Sequence, residues 1–220
     1  MTPRFASVIL DVDSTLSGIE GIDWLAAHRS EALRVRVTQL TDDAMSGRVT
    51  LDSVYRERLD AVAPTLAECQ TLGLAYRMKV AAGAADTVRA FLDAGVRVAV
   101  VSGGLYEAIL PLAESLGIDE ADVHAVRTFH DERGYYDGYD LRTALATESG
   151  KVTMAQLIAL PRPLLAVGDG STDLAMRTAG EADAFAAFTG FITRDAVVAG
   201  ADHVVSSFAE LRALVLGDAS

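Results

Sequence analysis

Short runs of consecutive apolar residues alternate along this chain with longer segments of helical periodicity. Three runs are rich in β-branched residues and bordered by Gly, Pro or Asp: residues 8–10, 96–101 and 164–167. Uninterrupted apolar runs of this length are typical of strands buried on both faces of a parallel sheet. Because helical segments separate them, the pattern predicts an α/β fold with a doubly wound, Rossmann-like parallel sheet.

The second half of the chain adds weaker elements. Residues 182–185 and 203–205 are further strand candidates, and residues 208–216 have the periodicity of a closing helix. Residues 123–139 break the alternation, and the aromatic side chains around Gly134 indicate a β-hairpin.

A long segment near the N-terminus, residues 17–80, has helical periodicity alone. Its apolar positions form two stripes at helical spacing, and Thr65 with Glu68 matches a capping box. We therefore expect a Rossmann-like catalytic core, residues 1–16 and 81–220, and a helical insert, residues 17–80, that covers the active end of the sheet as a cap.

Composition narrows the classes of partner. The 220 residues carry a formal net charge of −12, with one cysteine. Because no basic stripe is present, nucleic acid and anionic membranes are poor partners. No apolar run approaches the roughly 18 residues of a membrane span, and an apolar run beginning at Val8 leaves no room for a signal peptide. We expect a cytoplasmic protein that binds a small molecule, and the oligomeric state stays undetermined.

Two acidic residues, Asp11 and Asp13, follow the first predicted strand. If the backbone stays extended, their carboxyl groups point the same way. One carboxylate can then attack phosphorus and form an aspartyl-phosphate, while the other protonates the leaving alkoxide and later deprotonates water. Considered without the other motifs, the Asp-x-Asp pattern is explained equally well by a turn that carries two acidic side chains at the surface.

Hydroxyl, glycine and lysine positions supply an anion site. Ser102, before Gly103 and Gly104, follows the second predicted strand at the entry to a helix, where a hydroxyl and free backbone N–H groups can bind phosphate. Lys151 follows Gly150 at a predicted helix start, where its charge opposes the helix dipole and indicates an anionic partner. Each residue also has a simpler explanation when it is considered alone: Ser102 can cap a helix, and Lys151 can be an ordinary solvated side chain.

A second acidic pair, Asp169 and Asp173, follows the third predicted strand. Mg²⁺ binds through one or two carboxylates, waters and substrate phosphate, and Asp11 and Asp169 would meet at neighbouring strand ends. Asp173 also suits the first turn of a helix. Four motifs in this order, three of them at strand ends, predict Mg²⁺-dependent phosphoryl transfer.

This set of motifs resembles the haloacid dehalogenase superfamily, and the insert resembles its small-cap branch. The resemblance to the phosphoserine phosphatase family extends over about residues 5–215. This chain matches three further motifs of that family: a Glu before Gly-Ile-Asp, here Glu20; Ala-Met-x-Gly, here with Met45; and Arg-Leu in a helix, here Arg58 and Leu59. The chain departs from the family at Leu51, where Phe is common, and at Thr172, where Asn is common.

The resemblance implies a role for each matching residue. It implies Asp11 as nucleophile, Asp13 as acid–base group, and Mg²⁺ held by Asp11, the backbone carbonyl of Asp13 and Asp169. It implies phosphate held by Ser102, Gly103 and Lys151, with Lys151 also catalytic and Asp173 supporting. It implies substrate bound by Glu20 and Arg58, beside Met45 and Thr172.

The helical spacing around Arg58 gives separate support for an amino-acid substrate. Arg58 falls on the apolar stripe with Leu51, Val54 and Tyr55, whereas Arg56 falls on the solvent face. A charge on that stripe requires a buried partner or a ligand carboxylate, although snorkelling at its edge is an alternative.

Two other functions stay open beside hydrolysis of L-phosphoserine in serine biosynthesis. The motifs also fit a phosphatase for another small phosphomonoester, such as phosphohomoserine or a sugar phosphate. A receiver-type signalling module combines Asp, Mg²⁺, Ser/Thr and Lys on a parallel sheet, but this chain is long for one and Asp13 is placed to drive turnover.

Overall fold

The computed structural model describes residues 2–45, 48–49 and 51–217. The strands are β1 (Ser7–Leu10), β2 (Arg97–Leu105), β3 (Val123–Val126), β4 (Thr128–His130), β5 (Tyr136–Tyr139), β6 (Leu164–Gly168), β7 (Ala184–Phe188) and β8 (His203–Val205). The helices are α1 (Gly21–Ala27), α2 (Glu31–Met45), α3 (Leu51–Val62), α4 (Leu66–Met78), α5 (Ala84–Asp93), α6 (Tyr106–Ser115), α7 (Gly150–Ile158), α8 (Ser171–Thr178), α9 (Asp195–Gly200) and α10 (Phe208–Leu216).

In the described chain, six strands form one parallel sheet in the order β3-β2-β1-β6-β7-β8. Every residue of β1, β6 and β7 is buried, which explains why these strands read as uninterrupted apolar runs. The doubly wound α/β fold predicted from the sequence is confirmed.

The register of the sheet brings the polar strand ends together. Leu10 pairs with Val100 on one side and with Val167 on the other. The strand order reverses between β1 and β6, and such a switch point opens a crevice beyond the carboxyl ends of the strands. Asp11 and Asp169 follow these two strands and therefore enter the same crevice.

Two sheet details differ from the prediction. Strand β2 continues to Leu105, so Ser102 and its glycines lie within the end of the strand and not at the entry of α6. Strand β3 pairs parallel to β2 as an edge strand, although its four residues include His124 and carry too little pattern to be recognised. The predicted hairpin is confirmed as the antiparallel pair β4-β5.

Helices α1–α4 occupy the segment between β1 and α5. The predicted capping box at Thr65 and Glu68 starts α4. Gly73 brings α4 against α6 so closely that a Cβ atom there would lie 3.0 Å from the carbonyl oxygen of Ala108. This contact anchors the inserted helices to the sheet layer. Of the helices that the structure describes, none combines the length and apolar character needed to cross a membrane.

Candidate active site

A cavity opens at the carboxyl ends of β1, β2 and β6, between the sheet and the inserted helices. Its empty space of about 570 Å³ includes the mouth that is open to solvent. The predicted residues that line it are Asp11, Asp13, Glu20, Arg58, Ser102, Gly103, Lys151, Asp169 and Thr172. Asp173 lies just behind this wall, and the side chain of Met45 lies outside the described part of the structure.

Lys151 joins two acids on the floor of the cavity. Its Nζ lies 2.8 Å from Oδ1 of Asp11 and 2.7 Å from Oδ1 of Asp173, and all three side chains are buried. Burial opposes the lysine charge, but the two carboxylates outweigh it and raise the pKa of Lys151, which stays an ammonium.

Asp13 is held by groups from the inserted helices. The hydroxyl of Tyr76 donates to Oδ1 at 2.5 Å, and the backbone N–H of Gly21 donates to Oδ2 at 3.1 Å. Burial raises the pKa of Asp13 to about 7. The hydrogen bond from Tyr76 lowers this pKa, and the negative charge of Asp11 raises it further. A carboxyl group with this pKa can give and take protons near neutral pH.

Asp11, Asp169 and Asp173 form a buried acidic cluster in which one oxygen of each lies within 4.8 Å of the others. Burial and the charge of Asp11 raise the pKa of Asp169, so the cluster favours a cation. A donor set made only of carboxylate oxygens fits a hard divalent cation such as Mg²⁺. Both carboxyl oxygens of Asp173 already accept hydrogen bonds, Oδ1 from Lys151 and Oδ2 from the backbone N–H of Gly170, so Asp11 and Asp169 are the pair better placed for a metal ion.

The end of β2 supplies the groups predicted to bind an anion. The backbone N–H of Gly104 donates to Oγ of Ser102 at 3.1 Å, so the hydroxyl hydrogen of Ser102 is available to a ligand. The hydroxyl of Tyr55 donates to the carbonyl oxygen of Gly103 at 2.7 Å and ties α3 to this strand end.

Glu20 and Arg58 form the opposite wall. Glu20 immediately precedes α1 without capping it, and its Oε1 accepts a hydrogen bond of 2.7 Å from Oγ of Ser14. Burial, followed by the charge of Asp13, raises the pKa of Glu20 well above its usual value. A cationic group beside Glu20 would relieve this cost.

Arg58 lies on the buried face of α3, as predicted, with 5% of its side chain exposed against 65% for Arg56. Its NH2 nitrogen is 3.4 Å from Oδ2 of Asp23. Among the atoms that the structure describes, Nε of Arg58 has no hydrogen-bond partner. The guanidinium is therefore incompletely paired within the protein, and because Arg58 lines the cavity it can donate hydrogen bonds to an anion bound there.

Sequence reasoning did not identify several residues at this site. Tyr76 contacts Asp13, Leu145 and Thr147 line the cavity, and Nε of Arg194 lies 3.0 Å from Oδ2 of Asp169. Tyr55 was placed on the correct helix face without a role. Only the spacing of Tyr55 carried a signal, because the other contacts join segments far apart in the chain.

Residues 8–177 match the model of the haloacid dehalogenase-like hydrolase family. Phosphoserine phosphatase of Bos taurus is 30% identical over 208 residues, which cover 93% of this chain and 91% of the relative. The chloroplastic phosphoserine phosphatase of Arabidopsis thaliana is also 30% identical, over 93% of this chain and 70% of the relative.

Solved structures agree with this relationship. A phosphoserine phosphohydrolase-like protein from Francisella tularensis superposes with a TM-score of 0.87 at 26% identity, covering 97% of this chain and 99% of that one. The phospho-aspartyl intermediate analogue of a phosphoserine phosphatase has the same fold, with a TM-score of 0.77 at 24% identity over 96% of this chain and 98% of that one. The chain therefore belongs to the haloacid dehalogenase-like hydrolases and is a phosphomonoester hydrolase of the phosphoserine phosphatase type.

Proposed function

We propose that the protein hydrolyses L-phosphoserine to L-serine and phosphate with Mg²⁺, through an aspartyl-phosphate on Asp11. The observation that carries the proposal is the pair Glu20 and Arg58 on the cavity wall facing Asp11 and Lys151. Glu20 is a buried carboxyl group, and Arg58 is a buried cation whose guanidinium is incompletely paired. An acid suits the α-ammonium of the substrate and a guanidinium suits its α-carboxylate, whereas a sugar phosphate offers neither group.

The phosphate group is held by Ser102, the backbone of Gly103 and Lys151. Lys151 also keeps Asp11 oriented through Oδ1, so that Oδ2 attacks phosphorus. As the P–O bond to serine breaks, Asp13 gives its proton to the leaving oxygen. Asp13 then removes a proton from water, which attacks the aspartyl-phosphate and releases phosphate with Asp11 regenerated.

Mg²⁺ would be held by Asp11, the backbone carbonyl of Asp13 and Asp169, and it would neutralise charge between these acids and the phosphate. Arg194 binds Oδ2 of Asp169 and supports its orientation. We further propose that α1–α4 act as the cap, because Glu20, Arg58 and Tyr55 reach the cavity from this segment. The cytoplasmic location and the role in serine biosynthesis stay predictions.

A substrate panel assayed with Mg²⁺ tests the proposal. Initial rates are measured for L-phosphoserine, phosphohomoserine and glucose 6-phosphate. We expect the highest kcat/KM for L-phosphoserine, by roughly tenfold or more over phosphohomoserine, since one methylene group shifts the amino-acid end relative to Glu20 and Arg58. A kcat/KM for glucose 6-phosphate equal to that for L-phosphoserine would refute amino-acid recognition.

A further inference from the structure

A fully buried phenol links the inserted helices to the acid–base carboxyl group. Tyr76 lies on α4, and none of its surface is exposed. Its hydroxyl donates to Oδ1 of Asp13 across 63 residues of sequence. The other carboxyl oxygen receives the N–H of Gly21 at the start of α1. Both hydrogen bonds that orient Asp13 therefore come from the segment that carries Glu20 and Arg58.

The surroundings leave little freedom for this hydroxyl. A Cβ atom on Gly21 would lie 2.2 Å from the Tyr76 oxygen, and one on Gly104 would lie 3.6 Å from it. The first distance is far below van der Waals contact, so only glycine at position 21 leaves room for the phenol oxygen. The hydroxyl thus stands between Asp13, the start of α1 and the anion-binding end of β2.

We propose that Tyr76 is a positioning residue, which holds the Asp13 carboxyl group in the orientation that delivers its proton to the leaving oxygen. The inference rests on the proposed role of Asp13. A small misorientation of an acid–base group is costly, because proton transfer requires a donor–acceptor distance of about 2.6–3.2 Å. A phenol serving only as buried packing would not affect one leaving group more than another.

Leaving-group dependence separates these two roles. Departure of an alkoxide requires a proton, whereas p-nitrophenolate departs with little help. The parameter kcat/KM reports only the steps up to departure of the leaving group, so slow breakdown of the aspartyl-phosphate does not mask the effect. Aryl phosphates also lack the amino and carboxylate groups that Glu20 and Arg58 would recognise, so substrate recognition does not enter the comparison.

The test is kcat/KM for a series of aryl phosphates from phenyl to p-nitrophenyl phosphate, plus L-phosphoserine, with the wild type, Tyr76→Phe and Tyr106→Phe. Tyr106 is the matched control, because its hydroxyl donates to Oε1 of Glu120 at 2.6 Å and the residue does not line the cavity. Circular dichroism and thermal unfolding of each variant verify the fold.

We expect Tyr76→Phe to lower kcat/KM for L-phosphoserine and phenyl phosphate by roughly tenfold or more, and that for p-nitrophenyl phosphate by less than about threefold. The slope of log kcat/KM against leaving-group pKa then steepens in Tyr76→Phe and stays at the wild-type value in Tyr106→Phe. An unchanged slope in Tyr76→Phe, or an equal loss on all substrates, overturns the inference.

A second variant perturbs the Tyr76 hydroxyl group without replacing Tyr76. In Gly21→Ala the new methyl group displaces the phenol oxygen, and we expect the same steepening of the slope. Wild-type protein that cleaves aryl phosphates but not L-phosphoserine would refute the proposed substrate and still leave the slope as a test of Tyr76. The two failures are thus distinguishable.

Discussion

Replacing Arg58 by Ala removes the group that we propose binds the substrate carboxylate. The side chain is almost fully buried, its ion pair with Asp23 is 3.4 Å long, and Nε has no partner among the described atoms. The protein alone therefore leaves part of the guanidinium unsatisfied, and because Arg58 lines the cavity a carboxylate bound there would accept hydrogen bonds from it.

The expected loss follows from truncating a buried, hydrogen-bonded charge pair, which costs about 2–5 kcal/mol. At about 1.4 kcal/mol per factor of ten, kcat/KM for L-phosphoserine should fall by roughly thirtyfold or more. For p-nitrophenyl phosphate, which has no carboxylate, it should stay within about threefold of wild type.

The assay measures kcat/KM for both substrates in the wild type, Arg58→Ala and Arg56→Ala. Arg56 is the control, because it lies two residues away on the same helix with 65% of its side chain exposed and pairs with Asp60 at the surface. Wild-type kinetics on L-phosphoserine in Arg58→Ala, or an equal loss on both substrates, would refute the reasoning.

The remaining predictions concern the nucleophile, the metal and the buried acids. Asp11→Asn should abolish turnover with an unchanged circular dichroism spectrum, and activity near the wild-type level would show that another group attacks phosphorus. Dialysis against EDTA should remove activity, Mg²⁺ should restore it and Ca²⁺ should not, because the larger and looser Ca²⁺ shell misplaces the nucleophile; full activity in EDTA would exclude the mechanism. Burial raises the pKa of Asp13 to about 7 and that of Glu20 well above its usual value, so the folded protein retains protons that the unfolded chain releases near the ordinary pKa values of 3.8 and 4.5. The free energy of unfolding in EDTA should therefore fall as pH rises from about 4 to about 8, and a urea midpoint that is equal or higher at pH 8 than at pH 5 would contradict this.

Local sequence patterns were sufficient to predict which residues follow the buried strands and which face of one helix is buried. Asp11 and Asp169 follow buried apolar runs, and the topology of a parallel sheet brings such ends together. The spacing of Arg58 relative to Val54 and Tyr55 identified its buried face, because helix periodicity decides which residues are neighbours.

Tertiary contacts were beyond sequence reasoning. Tyr76 lies 63 residues from Asp13, and Arg194 lies 25 residues from Asp169, so no local period connects either pair. Strand β3 was missed because its edge position leaves two of four residues only partly buried, which weakens the apolar pattern. In each case the partner is defined by packing between elements and not by spacing within one element.

The most direct test of the proposed mechanism is rapid quenching of a single turnover of L-phosphoserine by excess wild-type enzyme with Mg²⁺, followed by mass spectrometry of its peptides. The account predicts a phosphoryl group that appears on Asp11 and disappears as phosphate is released. A phosphoryl group on any other residue, or one on Asp11 that persists long after serine has been released, would contradict it.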